Sequence, residues 1–282
     1  MRIYTWLVFL CGILGGTVLV SKLLSSNDEL PPVPLNEEYD VNLYRKIHSV
    51  SDLLAYVDST AGIKDKRSLA YAEALSSTIR KRFFHNYSFY SLSENWGAAL
   101  AGKFIWLDLG AIVVADDMLK HPMAACSQQS LILLTCFERL GVPYRAVRFA
   151  HHFAAEGMFS GKWFYFDTDK EPQFPNGRKS VDELLKSGEF YTAYAATAST
   201  PGGMEWWIGT KQGYPLYDSV SVMPAPRARL FQHVTKWGSD FGFLILALIL
   251  LIRTRYADSK TEFGTLQQNN WLWKKKPAVE MS

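Results

Sequence analysis

Cysteine is scarce in this chain, three in 282 residues. Cys11 lies in an apolar N-terminal stretch. Cys126 and Cys136 stand ten apart in one helical run, about 15 Å of rise and beyond disulfide reach. No disulfide framework is implied, whatever compartment the chain faces. Charge of one sign is lacking too. Residues 25–236 hold 22 Lys/Arg against 23 Asp/Glu, so there is no basic face of the kind a nucleic-acid partner needs. Paired His/Cys ligands at short spacing are missing, which argues against zinc. Neither a metal nor a cofactor is expected. Long low-complexity runs and internal repeats are absent as well, so the central chain reads as globular sequence.

Apolar residues are plentiful at 48%, and aromatics reach 14%, with nine Trp and fourteen Tyr. That suits a domain containing β-structure, or work near a membrane interface. Two apolar runs stand apart. Residues 3–20, IYTWLVFLCGILGGTVLV, carry no charge and meet the usual length for a membrane helix, about 18 residues or more. The following LVSKLLSS has no small-x-small cleavage pattern, so an uncleaved anchor is expected. Gly12 and Gly16 are spaced for a small-xxx-small helix contact. Residues 241–252, FGFLILALILLI, are apolar all round, and counting back to Trp237 gives a second expected span.

The basic excess sits at the two ends. Arg2 precedes the first run, and Arg253, Arg255, Lys260 and Lys274 to Lys276 follow the second. The positive-inside rule then places both termini in the cytoplasm, with the central domain periplasmic or extracellular. The expected division is an N-terminal anchor at 1–24 and a linker at 25–48, Pro-rich over 25–36. An extracytoplasmic domain follows at 49–236, then a membrane helix at 237–253 and a basic tail at 254–282. Membrane lipid of a plasma (inner) membrane is an expected partner.

Within the domain, SVSDLLAYVDST (49–60) opens with a cap signal and reads as helix, as do residues 66–84. FIWLDLGAIVV (104–114) fits a strand or a buried helix equally well. AACSQQSLILLTCFERL (124–140) is a helix stopped by Gly141 and Pro143. YRAVRFA (144–150), HFAAEGMF (152–159) and KWFYFD (162–167) read as strands, the last two joined across Ser160 and Gly161. SVDELLKSGEF (180–190) reads as a short capped helix. Helices followed by an antiparallel sheet indicate α+β.

Cys126 starts its helix, where unpaired N–H groups and the helix dipole favour a thiolate. Its own backbone N–H is a ready oxyanion donor. His152 opens one strand of the hairpin and Asp167 ends the other, so the pairing brings them together. A carboxylate placed so can fix one imidazole tautomer and stabilise the cation. The expected catalytic set is Cys126 as nucleophile, His152 as base and Asp167 as orienting acid. Asn95, Trp96 and His121 are upstream candidates for a second oxyanion donor. Cys136 reads as core, and Asp169 as a turn residue.

The run ACSQQSLILLTCFERLGVPYRAVRF, then HFAAE and GKWFYFD, resembles the transglutaminase-like superfamily of papain-like cysteine enzymes. The matching pieces are Cys126 opening a helix, the exit from Leu140 to Arg145, His152 with Glu156, and Trp163 with Asp167. The His-x-x-x-Glu spacing selects His152 over the adjacent His151. Ala124 stands where the family usually has Gly, and Thr168 where Pro commonly follows the acid. The resemblance covers roughly 116–170. It implies a papain-like core, a Cys-bearing helix packed on an antiparallel sheet bearing His and Asp, flanked by the two membrane helices. It also implies a peptidase, amidase or acyl transferase. The expected partner is then a peptide, glycopeptide or protein substrate at the cell surface. The rival expectation is a non-catalytic scaffold subunit of a membrane assembly that exports or modifies a surface polymer. A third is sugar or peptide binding by the aromatic-rich 190–217 region, including Tyr191, Tyr194, Trp206, Trp207, Tyr214 and Tyr217.

Overall fold

The computed structural model describes residues 2–24, 37–194, 216–217, 219–220 and 227–273. The chain forms two compact units. One comprises residues 27–92 and 98–234, the other residues 1–26, 93–97 and 235–282.

The larger unit begins with three helices, α1 of the chain lying in the other unit: α2 (Val41–Lys46), α3 (Val50–Ala61) and α4 (Leu69–Arg82). Their starts follow the cap chemistry of the sequence. Asp40, Ser49 and Ser68 each accept a first-turn N–H, which satisfies donors the helix itself leaves open. The expected linker at 25–48 therefore contains α2, whose Leu43, with the following Ile47, is buried in the core. Helix α5 (Leu92–Phe104) is kinked at Asn95. A 3-10 turn (Leu107–Leu109), α6 (Ala115–Met118) and α7 (Cys126–Leu140) follow. FIWLDLGAIVV is thus the end of α5, that turn and an extended stretch. Tyr90 and Ile112 hydrogen-bond across to Gly110 and Ser88 at 3.0 Å, making this stretch a neighbour of residues 88–90.

Helix α7 ends on Gly141 at φ +66°, the left-handed stop expected of it. Strands β1 (Tyr144–Arg148), β2 (Phe153–Phe159) and β3 (Lys162–Phe166) form an antiparallel meander, and the two-residue β4 (Leu216–Tyr217) joins the outer edge of β1. The β2–β3 turn sits on Ser160 and Gly161, both at positive φ, the tight hairpin turn that matches strand twist. Alternation along the strands serves two cores. Ala155, Phe159 and Phe166 face α7, with Phe137, Leu134 and residues of α3 and α4 beyond. Val147, Ala154 and Tyr165 face α8 (Val181–Ser187) and α9 (Glu189–Tyr194), meeting Val181, Leu184 and Phe190. The sheet is covered on both faces, each large buried apolar side chain contributing roughly 1.5–3 kcal/mol.

In the smaller unit lie α1 (Arg2–Leu24) and the greater part of α10 (Ala228–Trp273). Gly15 is the close-approach residue: a Cβ there would stand 2.9 Å from Leu244 Cδ2. Gly12 and Gly16, expected at a helix contact, have open space around them. The buried stripe of α1 is Cys11 and Gly15, one turn apart. Among the described residues one helix, within Ala228–Tyr256, is long and apolar enough to cross a membrane by length and composition. Two were expected. The described apolar stretch of α1, Thr5–Val18, is shorter than the requirement, which is about 20 residues for a hydrocarbon core of about 30 Å.

Candidate active site

The site is built where the start of α7 meets the β1–β2 connection and the residue that follows β3. Cys126 is the first residue of α7, only 8% exposed. Its backbone N–H lies in the first turn, outside the helical hydrogen-bond ladder. Ala125 at the cap has no side chain to offer, and Gln128 supplies the fixing instead. Its Oε1 accepts from Ala125 N at 3.2 Å and from Ser88 N at 2.9 Å. Its Nε2 donates to the Ser88 and Ile112 carbonyls, each at 2.9 Å. One buried amide therefore ties the start of α7 to two neighbouring segments. A Gln at the third helical position is the second half of a capping box, but with Ala125 at the cap the sequence carries no such signature.

His152 precedes β2 and is buried. Its carbonyl accepts Phe149 N at 2.8 Å, and the Phe149 ring stacks on the imidazole at 14° between planes. His152 Nε2 meets Asp167 Oδ2 at 2.6 Å. The imidazole also shares a hydrogen bond with Cys126. Nδ1 is the ring nitrogen left to serve the thiol. Burial works to push His152 down, but the Asp167 carboxylate and the Cys126 sulfur together hold it well above its ordinary value. The structure thus brings Cys126, His152 and Asp167 together, while His151 next door is exposed.

Asp167 is fully buried and held on both oxygens. Oδ2 also accepts the Tyr194 hydroxyl at 2.5 Å, and Oδ1 accepts the Asp169 and Lys170 N–H groups at 3.1 Å. Tyr165 and Tyr194 share a hydroxyl bond at 2.6 Å. Burial, then the nearby Asp167 charge, pushes both phenols well above their ordinary value, so they remain neutral donors. Tyr194, from the aromatic-rich region, is thereby a support of Asp167. Tyr191 is exposed, and Trp206, Trp207 and Tyr214 lie outside the described residues.

A second imidazole–carboxylate pair adjoins the first. His85 Nδ1 meets Asp169 Oδ1 at 2.7 Å, and Gln129 Nε2 approaches the same oxygen at 3.4 Å. Phe84, beside His85, pairs with the segment before Cys126, its carbonyl accepting Ala124 N at 3.1 Å. Burial works to raise the Asp169 carboxyl, but His85 and Lys170 hold it below its ordinary value. Asp169 is more than a turn residue, and nothing in the sequence marks His85 as its partner.

Other residues of the sequence pattern have structural employment. Glu156 accepts Arg145 Nε at 2.5 Å and Val181 N, the start of α8, at 2.6 Å. Arg145 stacks over Trp163 at 4.4 Å. This trio locks α8 to the sheet. The upstream oxyanion candidates make the following contacts. Asn95 Nδ2 donates to Thr235 Oγ1 at 3.1 Å, and the Trp96 ring packs on Phe243 at 5.6 Å. The His121 carbonyl accepts Arg82 Nη1 at 3.0 Å.

A cavity of about 330 Å³ adjoins the start of α7. Tyr87, Ser127, Gln128, Trp106, Arg148 and Phe153 are among its lining residues. Tyr87 hydrogen-bonds Ser127 and feels the Cys126 charge, which places the cavity next to the thiol.

No protein-family model matches this chain, and no curated protein matches it. A solved structure described as "Crystal structure of a TGase" is similar to it at 13% identity and a TM-score of 0.31, over 61% of this chain. The chain spans 41% of that structure's length. A likeness of that extent carries no argument about what this chain does.

Proposed function

We propose that the chain is a membrane-anchored cysteine enzyme, transglutaminase-like in its site, that acts on amide or related acyl bonds of a cell-surface peptide, glycopeptide or protein. The observation that carries this reading is His152, buried between the Cys126 sulfur and the Asp167 carboxylate. An imidazole held in its charged form beside a thiol favours the thiolate. The sulfur attacks the carbonyl carbon, and the oxygen takes up the negative charge at the Cys126 N–H. His152 then gives its proton to the departing amine, leaving an acyl-enzyme on Cys126. Water, or an amine acceptor, enters with His152 as base and restores the thiol. These steps accommodate peptidase, amidase and acyl transferase chemistry alike. In this reading both apolar helices span the membrane, with both termini in the cytoplasm.

A second reading, a scaffold subunit without catalysis, draws on the low exposure of Cys126. Thiol-probe labelling across pH separates the two. Fast labelling of Cys126 at pH 7, below the ordinary thiol value of about 8.5, is expected. It slows about tenfold or more in His152→Ala and vanishes in Cys126→Ser. Labelling as slow as that of the fully buried Cys136, and unchanged in His152→Ala, favours the scaffold.

A further inference from the structure

The cavity beside α7 lies wholly within the larger unit. Its lining includes Ser127, the residue after Cys126, and Phe153, the residue after His152. Arg148 joins them. It pairs with Phe153 in the β1–β2 register, so the two bracket the turn that carries His152. Whatever fills the cavity is therefore a neighbour of the Cys126–His152 hydrogen bond. At about 330 Å³ the cavity stands at the small end of ligand pockets, roughly 300–1,000 Å³. That is room for one residue and not for a length of chain.

The chemistry of the lining selects that residue. Ile112, Leu131, Phe153 and Phe231 are apolar. The two amides are occupied by backbone, Gln128 through the four bonds that tie α7 down and Gln232 through Val113 N at 2.8 Å and the Ala111 carbonyl at 2.5 Å. The Tyr87 hydroxyl is engaged with Ser127. Two charged groups remain, Arg148 and Asp108. Both are exposed, and neither has an ion-pair partner among the described residues. The Arg148 guanidinium lies 5.7 Å from the Phe153 ring centre, a cation–π contact that keeps its head group beside a lining ring. A guanidinium so held matches a carboxylate, two N–H groups to two oxygens. Asp108 repels a second anion but accepts an N–H. An apolar side chain, a carboxylate and an N–H on one residue describe the last residue of a peptide.

We propose that the cavity binds the C-terminal residue of a peptide, with its apolar side chain among Ile112, Leu131 and Phe231 and its carboxylate on Arg148, and that the bond cut is the last one of the peptide. The cut rests on the Cys126–His152 reading of the site, and the binding does not. The Cys126 sulfur bonds to the acyl carbon as the C–N bond breaks, and the leaving nitrogen takes the His152 proton. The terminal residue departs as a free amino acid. Water then gives a proton to His152 and its hydroxyl to the acyl carbon, the sulfur leaves, and the shortened peptide is released as an acid.

Binding is measured first, by calorimetry on the full chain in detergent carrying Cys126→Ser, with N-acetyl-leucine, N-acetyl-leucinamide and N-acetylglycine as probes. N-acetyl-leucine is expected to bind about tenfold or more tightly than either of the others, the worth of a charge-assisted pair or of a buried side chain. Arg148→Gln erases its advantage over the amide, and Arg148→Lys, which keeps the charge but not the fork, retains part of it. Equal binding of acid and amide overturns the carboxylate site. Equal binding of the leucine and glycine acids overturns the apolar one, and no binding overturns both. Cleavage is measured next, on the wild type, with an N-acetylated peptide ending in Leu, free or amidated. The free form is expected to lose its last residue with a kcat/KM about tenfold or more above that of the amide, a difference that Arg148→Gln removes through KM. A cut at an internal bond overturns the terminal assignment, as does binding without a cut while Cys126 labels fast. Binding with an inert Cys126 overturns the thiol chemistry and supports the cavity as a recognition site for peptide ends.

Discussion

In Asp167→Asn the His152 hydrogen bond keeps a partner but loses the charge. Burial pulls the imidazole down and Asp167, with Cys126, holds it up. With the carboxylate gone, burial wins. The His152 ring is expected to titrate below about 6.5, instead of well above it, in nitrogen-edited NMR of histidine-labelled protein. Cys126 labelling at neutral pH should slow by about tenfold or more as the cationic partner is lost. Asp169 offers a second test with the opposite sign. Its folded value is lowered, so the unfolded chain binds the proton more readily. Its contribution to stability is present above the ordinary carboxylate value of about 3.9 and is lost as pH falls through the folded one. His85 is the leading cause of the lowering. Thermal unfolding in detergent should therefore fall off less steeply below pH 4 in His85→Gln than in the wild type. Equal slopes would show that the pair contributes nothing to the fold.

Helix α7 carries Cys126, and its placement depends on Gln128 more than on any cap. Gln128→Ala removes four hydrogen bonds and takes the partner from the Ser88 and Ala125 N–H groups and the Ile112 carbonyl, while the Ser88 carbonyl keeps Ile112 N. A loss of about 2–4 kcal/mol is expected from denaturant unfolding, since each orphaned group costs about 1–3 and relaxation recovers part. Cys126 labelling should become faster and less dependent on His152 as the first turn loosens. The local elements were largely legible in the sequence because their signals are local. Gly141 stops α7 by its own backbone preference, and Ser160-Gly161 forces the hairpin that brings His152 to Asp167. The contact on α1 was not legible. Gly12 and Gly16 have the motif spacing, but the neighbour sits on the side of Gly15, and only the partner Leu244 decides that. His85, and the place of Tyr194 beside Asp167, escaped notice for the same reason. They reach Asp169 and Asp167 across 84 and 27 residues of chain, and composition carries no mark of such pairings.

At the scale of the whole chain, the α+β order followed from helix and strand periodicities, and the exposed run at 104–107 did not. FIWLDLGAIVV has no period to arbitrate between strand and helix, and periodicity cannot tell an apolar run facing inward from one facing outward. Orientation in the membrane is a separate matter from fold, set by where the charge lies. Arg253, Arg255 and Lys260 follow the apolar stretch of α10 closely, within the distance over which basic residues fix topology. A cysteine placed at Lys64, in a Cys11→Ser, Cys126→Ser background where the remaining Cys136 is fully buried, is expected to react with an impermeant maleimide in intact cells or spheroplasts. A cysteine at Ser259 is expected to react only after the membrane is opened. The same side for both positions would mean that α10 does not cross. The reverse pattern would mean that the domain bearing Cys126 faces the cytoplasm, where its substrate would be an intracellular acyl bond.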